Sequence, residues 1–429
     1  MRFEFIENQN LEMTEEQKAF LQELFAISTD IKQKLGMRNM PIQMVDDNTI
    51  RFEGIAANIK YGNIHLIVKP KISQVARIQH SDDELMRILY LRTIKTCKSD
   101  LRSVIYYTNM SADDDADNSF VDCVAQYFLE KFEYARQRTP IVTYIKHEEK
   151  RSTIKGKILI QRELMSPKTD GKTWCKYKVL DEDNKYNALL KWCCDYLSKC
   201  VETKSIKRRL LAASYSLATQ SFLLNKSNVK LMKLPRNFDA YRECFLIAHN
   251  MFLYKNQDMS FQKSSTKPCG YVIKMEKAFE NIVCYYTNRY ASNTGLLHRS
   301  QADEVLAKTP DDNAKFEVHV IPDDLLICGE SKLIVDAKYK RLEVCKKPER
   351  EDFYQMIAHC LAYSTGEAVL IYPGLYESDT DMKTWVVTHQ VNGHNLSIYA
   401  GKIDVFSDDT AIVDQIDSII RETHFGGAL

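Results

Sequence analysis

The sequence predicts a chain of three parts, the last of which is an α/β core. Three observations carry the prediction. At 429 residues and 49.8 kDa the chain is long for one domain. Strand-like and helical apolar spacings are unevenly spread, so that residues 1–115 read as a β-rich domain and 116–265 as a largely helical region. From 266 to 429 the order is helix, two hairpin strands, helix, strand, which is the order of an α/β layer.

In the first part, residues 42–45 (IQMV), 50–52 (IRF) and 64–68 (IHLIV) are short extended runs. Tyr61-Gly62-Asn63 is a turn signal, and Lys69-Pro70-Lys71-Ile72 ends the last run. Residues 15–27 and 83–97 have helical spacing. This describes a small barrel or sheet with added helices. It holds no catalytic constellation, which leaves partner contact or a structural role.

The acidic stretch at 111–117 (SADDDAD) reads as a solvated linker or helix N-terminus, since it lacks the spacing and closing glutamate of a calcium loop. A helix follows over 120–137. Residues 142–145 and 155–160 suggest strands, and 166–172 (SPKTDGK) a loop. Residues 184–200, 205–224 and 238–253 have the length and spacing of helices, with Trp192, Tyr196, Tyr215 and Phe222 as packing residues. Lys204, Lys207, Arg208 and Arg209 gather at a helix start, against the helix dipole, and are a candidate contact for DNA or a partner.

The third part opens with an amphipathic helix over 273–287, whose apolar face is Met275, Phe279, Ile282 and Val283, with Glu280 at its edge. Residues 316–321 form an extended lead into the stretch 321–340, IPDDLLICGESKLIVDAKYK. That stretch reads as two strands, 325–327 and 333–335, joined by a turn. Asp323 and Asp324 precede the first strand, Asp336 ends the second, and Lys338 lies two residues on. Residues i and i+2 of a strand share a face, so Asp336 and Lys338 project together, and the hairpin brings Asp323 or Asp324 to them. Two carboxylates at close range repel and call for a hard cation. Mg2+ takes oxygen ligands, can activate water and can offset charge on a phosphodiester, while a lysine orients the water or stabilises the developing charge. The pattern therefore points to a metal-dependent nuclease, with Glu280 as a candidate third carboxylate. Lys340, Arg341, Lys346 and Lys347 follow as a basic cluster suited to phosphate contact. A helix over 351–363 then places Gln355 near the site, and 368–372, 384–388 and 396–399 continue the sheet.

Composition excludes several classes. Hydrophobic content of 45% and charged content of 27% suit a folded soluble protein, and net charge of +1 excludes a wholesale basic protein though not a local DNA-binding face. No apolar run is long enough to span a membrane and the start carries no signal-sequence pattern. The twelve cysteines are scattered without a C-x-x-C pair, as in a reduced, cytoplasmic protein. No G-x-x-x-x-G-K-[ST] loop occurs, so any nucleotide-driven motor is another polypeptide.

Phe279-Glu280, Pro322-Asp323, Asp336-Ala337-Lys338-Tyr339-Lys340 and Asp352-Phe-Tyr-Gln355-Met356 give the third part a resemblance to the PD-(D/E)xK restriction-endonuclease-like superfamily. More narrowly they resemble the McrC family, the nuclease subunits of McrBC-type or related LlaJI-type restriction systems. Lys69-Pro70-Lys71-Ile72, Lys155-Gly156-Lys157-Ile158 and Asn184-Lys-Tyr-Asn187 extend the resemblance outward. It implies a Mg2+-dependent DNA endonuclease subunit that binds a McrB-like AAA+ GTPase hexamer through its N-terminal part and stimulates GTP hydrolysis. Two such subunits can come together to cut both strands. By position, Asp323, Asp336 and Glu280 would hold Mg2+, Lys338 would position or activate the attacking water, and Gln355 would open the helix motif that relatives write as QxxxY. Here the tyrosine place is His359, with Tyr354 and Tyr363 nearby, and relatives have an apolar residue where this chain has Asp324. Two other readings stand beside this one: a non-catalytic assembly factor that activates the NTPase and only grips DNA, and a stand-alone repair nuclease.

Overall fold

The extended runs of the first part belong to two sheets, and one of these takes in a strand from the third part. In the computed structural model, residues 1–72, 81–97, 103–108, 119–165, 171–217, 219, 222–254, 269–308, 317–340, 348–374, 383–387 and 395–427 are described. They divide into one unit of Met1–Ile105 with Asp258–Leu429 and a second of Tyr106–Gln257. The first and third parts of the sequence division thus fold as one body. The acidic stretch 111–117 lies outside the described residues.

The five-stranded sheet of the first unit has the order Arg2–Ile6, Ile64–Lys69, Ile55–Tyr61, Cys269–Lys274, Val104–Thr108. Ile55–Tyr61 and Ile64–Lys69 form a hairpin through Gly62, whose φ of +55° suits the tight turn. Sequence spacing misses Ile55–Tyr61 because five of its seven residues are buried, with no clean alternation to read. Ile42–Met44, Thr49–Phe52 and Asn10–Glu12 make a separate three-stranded sheet. Cys269–Lys274 pairs antiparallel with Ile55–Tyr61. This corrects the helix expected from 273: Ile273 is a fully buried strand residue, and the helix runs Met275–Thr294.

The six-stranded sheet has the order Leu297–Ser300, Asp324–Cys328, Ser331–Ala337, Glu367–Pro373, Ser397–Ile403, Lys383–Val386. The second and third strands are the expected hairpin. Ser331–Ala337 then runs parallel to Glu367–Pro373, and the crossover carries the helix Arg350–Tyr363. Leu325, Ile334, Met356, Cys360, Leu370 and Ile398 form the core beneath that helix. Met275–Thr294 packs against the first three strands and against the helices Asp82–Thr96 and Asp409–Arg421. The expected lead at 316–321 is not part of this sheet: Glu317–Val320 pairs with Glu304–Lys308 in a two-stranded ribbon. Asp409–Arg421 is a helix the sequence reading leaves unassigned, although Asp408 caps it from the residue before.

In the second unit the strands Thr143–Arg151, Thr173–Asp181 and Lys157–Ile158 form a sheet beside the helices Ser119–Arg138, Lys185–Cys200, Lys204–Tyr215 and Arg242–Tyr254. Two of the family-like motifs are structural here. Gly156 has φ +70°, and a Cβ there would lie 2.5 Å from the Lys176 carbonyl oxygen. Asn184 caps its helix by accepting from the Tyr186 and Asn187 backbone N–H groups, while Asn184 and Asn187 both donate to the Ile141 carbonyl at 2.9 Å. Trp192 packs against Tyr196 and Phe252 as expected, but Tyr215 and Phe222 are exposed. The helix expected to reach 224 ends at Tyr215. In the basic group at its start, Arg209 is paired with Glu133 at 2.8 Å.

Candidate active site

The hairpin register decides which side chains meet. Asp324 pairs with Val335 and Cys328 with Ser331, so one step beyond the ladder Asp323 comes opposite Asp336, on the same face. The Asp323 carboxylate accepts from the Ala337 backbone N–H at 2.9 Å, which ties the two strand ends together. Asp336 is 2% exposed. Lys338 lies 2.6 Å from Asp336 Oδ2, and its ammonium also donates to Gln355 Oε1 at 2.7 Å. The Lys338 backbone N–H donates to the Ile371 carbonyl at 2.8 Å and continues the parallel pairing. The sheet therefore supplies both carboxylates and the lysine, and the helix Arg350–Tyr363 supplies the glutamine.

The electrostatics identify Glu280 as a neighbour of both carboxylates. Burial, then Asp336 and Glu280, push the Asp323 carboxyl up to about 8, against the Ala337 N–H. Burial also raises the Asp336 carboxyl; Lys338 opposes this, and Glu280 adds to it. Glu280 is paired with Lys277, one turn back on its helix. Burial disfavours the Lys277 ammonium, but Glu280 and Asp323 outweigh it and raise its pKa. Lys277 is the charged residue that sequence reasoning passes over. Its one signal is the i,i+3 charge pair with Glu280.

Asp324 points the other way. It is fully buried, and its Oδ1 lies 2.6 Å from His298 Nε2. Of the two aspartates the sequence leaves open, Asp323 is the one gathered with Asp336. His359, at the tyrosine place of the QxxxY motif, is buried one turn beyond Gln355, and burial and the Lys338 charge push its pKa down to about 4, so the ring is neutral. Tyr363 donates to the Ala302 carbonyl at 2.7 Å, and Tyr354 is 67% exposed. Of the basic cluster, Lys340 is engaged by Glu349 at 2.6 Å and Asp352 at 3.1 Å. Arg341, Lys346 and Lys347 lie outside the described residues.

The site does not end at Lys338. Tyr339, the next residue, is buried and donates its hydroxyl to Glu7 Oε2 at 2.6 Å. Lys71 donates to the Tyr339 carbonyl at 2.8 Å, and its ammonium sits 4.1 Å from the centre of the Tyr339 ring. Glu7 also accepts from the backbone N–H groups of Gly54 at 3.0 Å and Lys71 at 3.2 Å. Sequence reading finds Lys71 in a motif but gives it no partner, because Glu7 and Tyr339 are 332 residues apart in the chain.

Chemically, Asp323, Asp336 and Glu280 offer oxygen donors of the kind a hard divalent cation takes, and its charge would offset both the burial and the neighbouring carboxylates that raise Asp323. Among the described residues no helix is long and apolar enough to cross a membrane.

No curated protein matches the sequence. Among solved structures, a chain of the refined half-complex from the tetradecameric assembly of Thermococcus gammatolerans McrB AAA+ hexamers with bound McrC aligns over 98% of this chain and 100% of that chain, with a TM-score of 0.58 and 14% identity. The Thermococcus gammatolerans McrBC complex aligns over 68% of this chain and 88% of that chain, with a TM-score of 0.44 and 13% identity. The family described as McrBC 5-methylcytosine restriction system component matches residues 50–373, a span that takes in Lys71, Glu280, both site aspartates, Lys338 and Gln355. By that match, over most of its length, the chain belongs to the McrBC restriction-system component family.

Proposed function

We propose that this chain is the DNA-cutting subunit of a GTP-driven restriction complex, a Mg2+-dependent endonuclease with a PD-(D/E)xK core that binds and stimulates an AAA+ GTPase ring. The observation that carries the reading is the gathering of Asp323, Asp336, Lys338 and Gln355 at one strand end, with Glu280 acting on both carboxylates. Asp323, Asp336 and Glu280 would hold the metal. When bound, Mg2+ supplies positive charge against the scissile phosphodiester and lowers the pKa of water. Lys338 orients the attacking water and stabilises negative charge as it develops, and Gln355 holds the Lys338 ammonium in place. To hold the metal Asp323 would be a carboxylate, its proton passing to solvent. The neutral ring of His359 fills the place beside Lys338 without adding charge.

The ring partner is part of the proposal. Family membership and the fold likeness to a chain of an assembly named for McrB AAA+ hexamers with bound McrC support it, as does the missing nucleotide-binding loop in this chain. DNA as substrate and pairing of two subunits for double-strand cleavage belong to the same reading.

The test is reconstitution with the AAA+ GTPase partner, reading GTP hydrolysis and DNA cleavage together. Asp336→Ala and Lys338→Ala are expected to keep GTPase stimulation and to lose cleavage by about 100-fold or more. Undiminished cleavage by both variants would remove the assignment. Undiminished restriction by both in cells would favour an assembly factor that only grips DNA.

A further inference from the structure

Behind the strand end, on the face opposite Asp323, three donors of different chemistry converge. Cys284 lies on the helix Met275–Thr294, one turn beyond Glu280; His298 lies on the strand Leu297–Ser300; Asp324 opens the strand Asp324–Cys328. One ligand atom from each lies within 4.8 Å of the others, and among the described residues this is the sole group of three such donors. Asp324 is fully buried and Cys284 is 8% exposed, while His298 is half-buried with its side chain 6% exposed. Cys284 is not in a disulfide.

We propose that Cys284, His298 and Asp324 form a zinc site that pins the Glu280 helix to the two strands behind the candidate active site. The donor set is thiolate sulfur, imidazole nitrogen and carboxylate oxygen, which zinc accepts and Mg2+ or Ca2+ does not. Tetrahedral zinc places its ligand atoms about 3.3–3.8 Å apart, inside the 4.8 Å limit of the group, and a bound ion would part the 2.6 Å His298–Asp324 contact by about 1 Å. A second observation points to a cation. His298 satisfies Asp324 Oδ1, but Oδ2 is buried without a hydrogen-bond partner. A buried carboxylate oxygen left unpaired is costly, and a metal bond would satisfy it. The three protein ligands leave a fourth position for water.

The proposal does not depend on the nuclease reading, and its test does not use cleavage. The full chain is stripped of metal with a chelator and titrated with Co2+ and then Zn2+, following thiolate-to-cobalt charge-transfer absorption and competition with a chromophoric chelator. The expected result is one Co2+ per chain with a thiolate band, displaced by Zn2+. In Cys284→Ser the band disappears and zinc affinity drops at least tenfold, with far-ultraviolet circular dichroism unchanged. Asp324→Asn and His298→Gln weaken zinc binding while leaving the thiol in place, and either serves if Cys284→Ser does not fold. A wild-type chain with no thiolate band would overturn the site. So would one that binds zinc no better than Cys284→Ser or His298→Gln.

Discussion

Tyr339→Phe and Lys71→Ala probe the tie between the first sheet and the strand end of the candidate active site. Glu7 is 1% exposed, and its carboxylate is surrounded by donors: the Tyr339 hydroxyl, two backbone N–H groups and the charge of Lys71. Burial raises the Glu7 carboxyl against these donors, and removing the hydroxyl deletes one buried hydrogen bond to it, worth about 1 kcal/mol or more. Removing the ammonium deletes its hydrogen bond to the Tyr339 carbonyl and the positive charge that opposes the burial of Glu7, at a cost of about 1–3 kcal/mol. Both changes act on Glu7, so the double variant should lose less than the sum. The three tryptophans make the measurement specific. Trp174 and Trp192 lie in the second unit and Trp385 in the first, so a Trp174→Phe, Trp192→Phe background makes Trp385 fluorescence report the first unit alone during urea unfolding. Losses below about 0.5 kcal/mol for both single variants would refute the claim that this network holds the unit together.

Further outcomes follow from the same structure. Metal-free protein should be less stable at pH 8 than at pH 5. Asp323 binds its proton more tightly folded, at about 8, than unfolded, at about 4, so rising pH removes stability across that window. Asp323→Asn should flatten the slope, and Mg2+ should raise the melting temperature at pH 8 in the wild type alone; equal slopes would place the strain elsewhere. Gly156→Ala, with φ +70° and the Lys176 carbonyl in the way, should cost the second unit about 1–3 kcal/mol by denaturant unfolding. Asn184→Ala should cost a similar amount through the lost cap, read by Trp192 fluorescence. Lys277→Ala should lower cleavage in the reconstituted complex by more than its effect on GTP hydrolysis; equal effects would make Lys277 structural.

What was legible in the sequence depends on how local the signal was. The hairpin was legible because its two apolar runs, its turn and its acidic ends all fall within twenty residues, and alternation fixes which of them share a face. Alternation alone could not choose between Asp323 and Asp324. That choice rests on register, which here sets Asp324 against Val335 and so turns Asp323 toward Asp336. The helix expected from 273 overruns the end of Cys269–Lys274 because Ile273 and Lys274 run into the amphipathic pattern of the helix that follows. The segment's strand character comes from pairing with Ile55–Tyr61, more than two hundred residues earlier in the chain. Glu7, Lys71 and Tyr339 were illegible as a group for the same reason. Each reads as an ordinary charged or aromatic residue, and only the folded chain gives them one another.

That shared sheet has a consequence for how the first unit works. Cys269–Lys274 is hydrogen-bonded along its length to the N-terminal sheet and passes without a loop into the helix that carries Lys277, Glu280 and Cys284. Its end is fixed by the Lys274 N–H to the Ser103 carbonyl at 2.7 Å and the Met275 N–H to the Gly54 carbonyl at 3.0 Å. The far side of the same helix is held where Tyr286 donates to Asp409 at 2.6 Å, with Lys95, Arg92 and Arg289 on the same carboxylate. The other tie, through Glu7 and Lys71, grips the residue after Lys338. The N-terminal sheet therefore touches the candidate site on two sides, through the helix with Glu280 and the strand end with Lys338. A force applied to that sheet by a bound partner would reach the two sides of the carboxylate cluster together. Under the proposed function, this is a physical route by which ring binding at the N-terminal part would set the geometry of cutting.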